Sequence, residues 1–363
     1  MSSETEQFFS ANYLEAREKF LRLAQTHGFE LEAHRNSQAQ GPDGHDLYLD
    51  VATANLDGAD RMLVLLSGTH GVEGYCGSGI QSALLGLGEL SNLPEGLGLV
   101  LIHAVNPYGF AHDRRVNEGN IDLNRNFLDF AKEQPRDNGY ANIHADLVPL
   151  SWSGESRQAA DARLASYAKQ QGPAAFQQAA TGGQYTHADG IFYGGRRPSW
   201  SAVTVIDVIK ALTAKVSKAA FVDFHTGLGP YGYGELIAAG YGAQVRRTFA
   251  FYSGYEVTDP EQGTSSSAPI QGTLAHGIER ALPDVETFFI ALEYGTQSMK
   301  QVMTALRADN WLYLHGDFAD ESAPQIKKQI RDAFYCDEAE WKNSVYARAL
   351  DVVGTTIERL SAS

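Results

Sequence analysis

The sequence predicts an α/β fold of three layers, with a mixed, mostly parallel sheet between two layers of helices. Three observations predict it. Four apolar runs, in MLVLLSGTHG, LVLIHAVNP, AAFVDFHTG and ETFFIALEYGT, are short and continuous, the pattern of strands buried on both faces. Segments of helical composition separate these runs, as wound α/β sheets require. Two earlier stretches, Phe29 to His34 and Leu47 to Val51, alternate in polarity and read as a hairpin at one sheet edge, which makes the sheet mixed.

Taken in order, Tyr13, Leu14, Phe20, Leu21 and Ala24 fall near helical spacing between charged positions, so the chain starts with an amphipathic helix packed on the core. The hairpin follows, its second strand ending near the polar loop Asn55 to Asp60. Helical composition then marks Gly77 to Leu87, Thr204 to Lys215 and Gln244 to Tyr252, and Trp341, Val345, Ala349, Val352 and Leu360 mark a closing amphipathic helix. Between Leu128 and Trp200 the rhythm changes. This stretch is rich in Ala, Gln and Gly, with helical pieces at Ala159 to Gln171 and Ala174 to Ala180 and a Gly/aromatic segment, GQYTHADGIFYGG. It reads as an insertion near the site within one domain spanning 1–363. TSSSAP at Thr264 to Pro269 is a loop.

Composition bounds the function. A chain of 363 residues with 43% hydrophobic and 20% charged residues carries ample material for a continuous core, which excludes a disordered factor. Lys and Arg number 29 against 44 Asp and Glu, a net charge of −15 with no basic block, so nucleic acid is not an expected partner. The apolar runs fall far short of the roughly 18 residues a membrane span needs. The N-terminus, MSSETEQFFSANYLEAREKF, lacks the basic, apolar and small-residue series of a signal peptide, so a cytoplasmic location is expected. Cys76 and Cys336 are too few for a disulfide framework and read as buried thiols.

Each buried run ends in a residue capable of metal or acid/base chemistry, and in open α/β sheets ligands bind beyond the carboxyl ends of strands. The first run leads into His70-Gly-Val-Glu73, where a Gly-flanked turn lets an imidazole and a carboxylate face one point. The third ends at His225. Two histidines and a carboxylate with a fourth position left for water make up a catalytic zinc site, although each residue alone reads equally as a surface or hydrogen-bonding group. The last run places Glu293 after five apolar residues, surroundings that raise a carboxyl toward the working range of a general base; a structural pair with an arginine is the alternative. The second run opens the loop Asn106 to Phe127, whose Arg114, Arg115, Arg125 and several amides suggest a socket for a carboxylate or oxyanion.

SGTHGVEG, NPYGFAHDRRVNEGNIDLNRNF, VDFHTG and IALEYG, in that order, resemble the M14-type zinc carboxypeptidase superfamily, and within it a bacterial family of unknown function, DUF2817. The motifs span roughly Leu63 to Thr296. The resemblance implies one zinc ion per chain held by His70, Glu73 and His225, with Asp122 orienting His70. It implies that Arg115, nine positions before Asn124, is the oxyanion-side arginine in preference to Arg114. Asn124 and Arg125 match the pair that grips a substrate's terminal carboxylate, and Glu293 matches the general base. The family's mobile tyrosine falls between His225 and Glu293, where the sequence offers Tyr241, Tyr252 and Tyr255 without assigning the role to one of them, so the resemblance implies metal-dependent hydrolysis more firmly than peptidase activity. A zinc-dependent, carboxypeptidase-like hydrolase acting on a small peptide is therefore expected. An N-acyl amino acid deacylase of the aspartoacylase or succinylglutamate desuccinylase type is the alternative, and a non-catalytic binding module with a relic site is a third reading, opposed by the completeness of the residue set.

Overall fold

The computed structural model describes residues 4–362 apart from 134 and 136, two positions that fall within the 128–200 stretch. Eight strands form one sheet: β1 (Glu30–Gln40), β2 (Asp46–Ala54), β3 (Arg61–Ser67), β4 (Leu97–His103), β5 (Lys218–Tyr231), β6 (Gly234–Ala238), β7 (Val257–Thr258) and β8 (Glu286–Gly295). Their order across the sheet is β1-β2-β4-β3-β5-β8-β6-β7. The four apolar runs make the parallel block β4, β3, β5 and β8. Antiparallel pairing at β1–β2, the hairpin that the upstream alternation predicts, and also at β2–β4 and β6–β8 makes the sheet mixed.

Helices α1 (Tyr13–Thr26), α2 (Gly74–Gly86) and α3 (Pro107–Ala111) belong to the first half of the chain. Beyond it, α4 (His144–Leu147), α5 (Gly154–Gln171) and α6 (Pro173–Thr181) occupy the Ala- and Gln-rich stretch. The rest are α7 (Trp200–Thr213), α8 (Gly242–Phe251), α9 (Leu274–Ala281), α10 (Met299–His315), α11 (Ala323–Phe334) and α12 (Ala339–Ser361). Side chains of α1, α2 and α12 pack with Leu63, Leu65, Val222 and Leu292 on one face of the sheet. Those of α7 and α9 pack with Met62, Val64, Phe221 and Phe289 on the other. Neighbouring residues of each parallel strand thus enter opposite cores, which is why these strands read as unbroken apolar runs.

Local chemistry fixes several helix starts. Asn12 accepts a hydrogen bond from the Glu15 backbone at 3.0 Å, and Ser298 and Gln301 cap α10 reciprocally. One close approach matters to the site. Gly71 lies directly against the backbone of Gly109, and a Cβ there would collide with main-chain atoms that have nowhere to move. No helix among the described residues is long and apolar enough to cross a membrane.

Candidate metal centre

Three strand ends meet at one point. β3 runs out at Ser67, and the chain turns through His70 into a single 3-10 turn, Gly71–Glu73, before α2 begins. His225 lies on β5, directly opposite Glu293 on the adjacent parallel strand β8. The loop 106–127 is strapped to the His70 turn by its own main chain: Gly71 and Val72 donate to the carbonyls of Arg115 and Arg114 at 3.1 and 2.9 Å. Backbone pairing alone therefore brings residues far apart in sequence into contact.

His70, Glu73 and His225 are buried, and one ligand atom from each lies within 4.8 Å of the other two. Glu73 is central. Its Oε1 is 2.9 Å from His70 Nδ1 and its Oε2 is 2.8 Å from His225 Nδ1. The outer nitrogen of each imidazole faces a second carboxylate: His70 Nε2 is 3.1 Å from Asp122 Oδ1, and His225 Nε2 is 2.7 Å from Asp223 Oδ2. Without an ion His225 Nδ1 carries a hydrogen toward Glu73, and Arg115 Nη2 lies 2.9 Å from His70 Nε2; with an ion in place the outer carboxylates would favour hydrogen on Nε2 and leave each Nδ1 lone pair free to bind it. His70 Nδ1 is buried and makes no hydrogen bond despite its closeness to Glu73, the arrangement expected of two donors directed at a common third body. Two imidazoles and a carboxylate with oriented outer nitrogens are the donor set of a divalent transition-metal site, zinc above all, so the residues fit the ion.

Burial opposes ionisation of Glu73, yet the charges of His70 and Arg115 and the bond from His225 hold its carboxyl well below the usual range. Burial also opposes the charged form of His225, but Asp223 and Glu73 raise it well above an ordinary imidazole. Asp122 is likewise kept ionised against burial, by Arg115 first and then by His70 and Arg125. The centre is a compact anionic nest that holds positive charge, and a metal ion entering it exchanges with protons.

Every predicted site residue is brought to this place. Arg115 donates from Nη1 to Glu73 at 2.7 Å and from Nε to Asp122 at 3.0 Å, while Arg114 points away to Asp309 at 2.9 Å and stacks on Tyr313. The Asn124 side chain accepts from the Leu274 backbone at 2.9 Å, with its Nδ2 3.4 Å from His225. Arg125 donates to the carbonyls of Asn124 and Thr181, and its buried Nε makes no hydrogen bond. Glu293 is buried, accepts from the Leu228 backbone at 2.9 Å and makes no ion pair among the described residues, which removes the alternative of a structural arginine partner. Burial, then repulsion from Glu73, pushes its carboxyl up to about 8 against the pull of His225 and Arg115. Arg115, Asn124, Arg125 and Glu293 line one cavity of about 240 Å³ with His70 and His225.

Of the three tyrosines, Tyr241 lines this cavity, stacked on His276 with ring centroids 3.9 Å apart. Tyr252 and Tyr255 bond Thr356 and Thr355 of α12 instead. The Gly/aromatic segment contributes Phe192 to the cavity and the Tyr193 carbonyl that accepts from Asp122 at 2.8 Å.

Sequence reasoning missed Asp223, although a signal existed: positions i and i+2 of a strand share a face, so Asp223 and His225 had to lie side by side. Thr69 donates to the other Asp223 oxygen at 2.9 Å. Asp223→Asn should leave the chain folded but weaken zinc binding by about 10–100-fold, the usual cost of losing a carboxylate behind a metal-bound imidazole. Competition against a chelator of known affinity measures it, and an unchanged dissociation constant would show that Asp223 does not orient His225.

The family model for the protein of unknown function DUF2817 matches residues 9–348. No curated protein matches in sequence. Among solved structures, the chain is similar to bovine thrombin-activatable fibrinolysis inhibitor, described in complex with tick carboxypeptidase inhibitor, at 14% identity, 99% of each chain and a TM-score of 0.52. It is also similar to carboxypeptidase A from Helicoverpa armigera (13% identity, 94% of this chain and 73% of that one, TM-score 0.44). An aspartoacylase family protein from Mesorhizobium loti matches at 12% identity over 82% and 70% of the two chains, with a TM-score of 0.40. The first likeness establishes the fold, and the family match covers the sheet and every residue of the centre. The chain belongs to the DUF2817 family of unknown function and carries the fold of the M14-type carboxypeptidases.

Proposed function

We propose that the protein is a zinc-dependent hydrolase that cleaves an amide bond next to a free carboxylate, in the manner of a carboxypeptidase, with one zinc ion at His70, Glu73 and His225. The observation that carries this reading is the cluster of His70, Glu73 and His225, whose two histidines line the same cavity as the buried Glu293, a carboxyl with no ion-pair partner among the described residues. Zinc, when bound, would acidify a water molecule and polarise the amide carbonyl. Glu293 takes the proton from the attacking water, for which a carboxyl raised by burial is suited, and returns it to the leaving nitrogen. Arg115 stays cationic, because Asp122 and Glu73 outweigh the effect of burial, and supplies fixed positive charge to the developing oxyanion. Arg125 and Asn124 hold the terminal carboxylate and so determine which bond meets the reacting groups. The substrate is thus a small peptide or an N-acyl amino acid.

A panel of peptides with free C-termini, the same peptides amidated, and N-acyl amino acids tests this. Hydrolysis should cease with a chelator and return with zinc. Amidation should lower kcat/KM by about 10–100-fold, the value of a charged hydrogen bond lost from a buried partner. Turnover that survives exhaustive chelation would overturn the reading, and activity restricted to N-acyl amino acids would select the deacylase form of it.

A further inference from the structure

The cavity has two unlike walls, told apart by the arginine each adjoins. Around Arg125 the surroundings are polar: the Thr181 carbonyl accepts from its guanidinium at 2.5 Å, and Gln177 and Thr273 line the cavity nearby. Around Arg115 they are apolar. Phe334 lies 5.8 Å from its guanidinium carbon, Phe192 stands between the two arginines at 5.4 Å from Arg115 and 5.5 Å from Arg125, and Leu306 lines the small neighbouring cavity with Arg115 and Phe192. Helix α10 then presents Met299, Val302, Met303 and Leu306 to the cavity, the i, i+3, i+4, i+7 series of one helix face. Met299 is 38% exposed and Leu306 8%, so the stripe runs from the mouth of the cavity down to Arg115.

We infer that this second wall is a cleft for an apolar acyl group, so that the substrate carries a hydrophobic group on the carbonyl side of its amide and a free carboxylate on the nitrogen side. The inference rests on the hydrolase reading for the position of the amide. A charge census supports the choice. Among the described residues the cation lining this wall is Arg115, which already spends donors on Glu73 and Asp122. The other carboxylates lining the cavity besides Glu293, Asp259 and Glu261, sit in the loop bound to Gln177 through Ser266. A succinyl or aspartyl group on the acyl side would therefore lose hydration without gaining a free cation. An apolar group loses nothing, and each methylene it buries is worth about fourfold in affinity. Methionine at two of four positions adds tolerance, because its side chain reshapes around different apolar guests.

Four ligands sharing a C-terminal leucine test the inference on the full chain: N-octanoylleucine, N-acetylphenylalanylleucine, N-acetylleucine and N-succinylleucine. Binding is measured by calorimetry on metal-free protein, and kcat/KM on zinc-loaded protein. The octanoyl or the phenylalanyl compound should exceed N-acetylleucine by at least about 10-fold, within the range that apolar pockets discriminate, with N-succinylleucine weakest. Which of the two leads tells a fatty-acyl substrate from a peptide. Met303→Arg should remove at least about tenfold of the apolar advantage and raise N-succinylleucine relative to the rest. Met299→Arg, at the exposed mouth, carries the same test if the first variant does not fold. Succinyl binding equal to octanoyl binding, absence of binding by all four, or an unchanged ratio in folded variants would overturn the cleft. The expected binding order without turnover would sustain the cleft and sink the hydrolase reading, whereas turnover without the order would do the reverse.

Discussion

Glutamine in place of Glu293 should lower turnover by at least about 10²-fold, the low end for loss of a general base, while zinc content stays at the wild-type level. The side chain keeps its shape, and the amide oxygen can still accept from the Leu228 backbone, so the variant loses the proton acceptor and little else. Stability provides a second readout. In the metal-free protein the folded carboxyl holds its proton to about pH 8, whereas its ordinary value is 4.5. A raised folded value means that its contribution is complete below pH 4.5 and is lost as pH rises through 8. Glutamine has no such loss, so the metal-free variant should gain stability relative to wild type across that window. Melting temperatures at several pH values, together with turnover and zinc content on one preparation, check both points. An active, zinc-loaded variant that is destabilised at alkaline pH would make Glu293 a structural residue.

His225→Ala should abolish stoichiometric zinc. It removes one of three ligands, and it strips the imidazole from between Asp223 and Glu73, leaving two buried carboxylates facing each other's charge across the gap. Breaking a buried pair from one side costs about 3–5 kcal/mol, so denaturant unfolding of the metal-free variant should fall by that order. Metal analysis that still finds a full equivalent at wild-type affinity would show that the ion, if bound, is held elsewhere.

The sequence made the centre legible because the residues of interest end several apolar runs in combination, where each alone reads as a surface or hydrogen-bonding group. His70, His225 and Glu293 follow from that rule, and the loop motif places Asp122, Asn124, Arg125 and Arg115 beside them. Asp223 was overlooked because it stands inside a run that was read for its apolar residues. The walls of the cavity were harder. Strand β6 is five residues long and buries Glu235, bonded by Thr258 and Ser266, so it offers no clean run. Helix α10 turns its apolar stripe to a cavity, continues that face into the buried Asp309 and Asn310 and buries Arg307 as well, which blurs the 3.6-residue period that marks a helix packed on a core. Helix α11, with Ala323, Ile326, Ile330 and Phe334 buried, keeps the 3.6-residue period of a helix packed on a core.

The pairing of His225 with Glu293 across β5 and β8 has a bearing on how such a chain can change. Alternate residues of these strands enter opposite cores, so a slip of one position would carry the glutamate into the layer beneath α2 and α12, far from the ion. The distance between His225 and Glu293 is thus a property of the hydrogen-bond ladder itself, and it is as durable as the sheet. On the proposed function, the groups that would choose the acyl side of the substrate hang on α10, the Gly/aromatic segment and the loop after β7, none of which sets that ladder. Selectivity can therefore drift while the reaction stays put, and a chain of this design can be re-aimed at a new substrate by altering its walls alone.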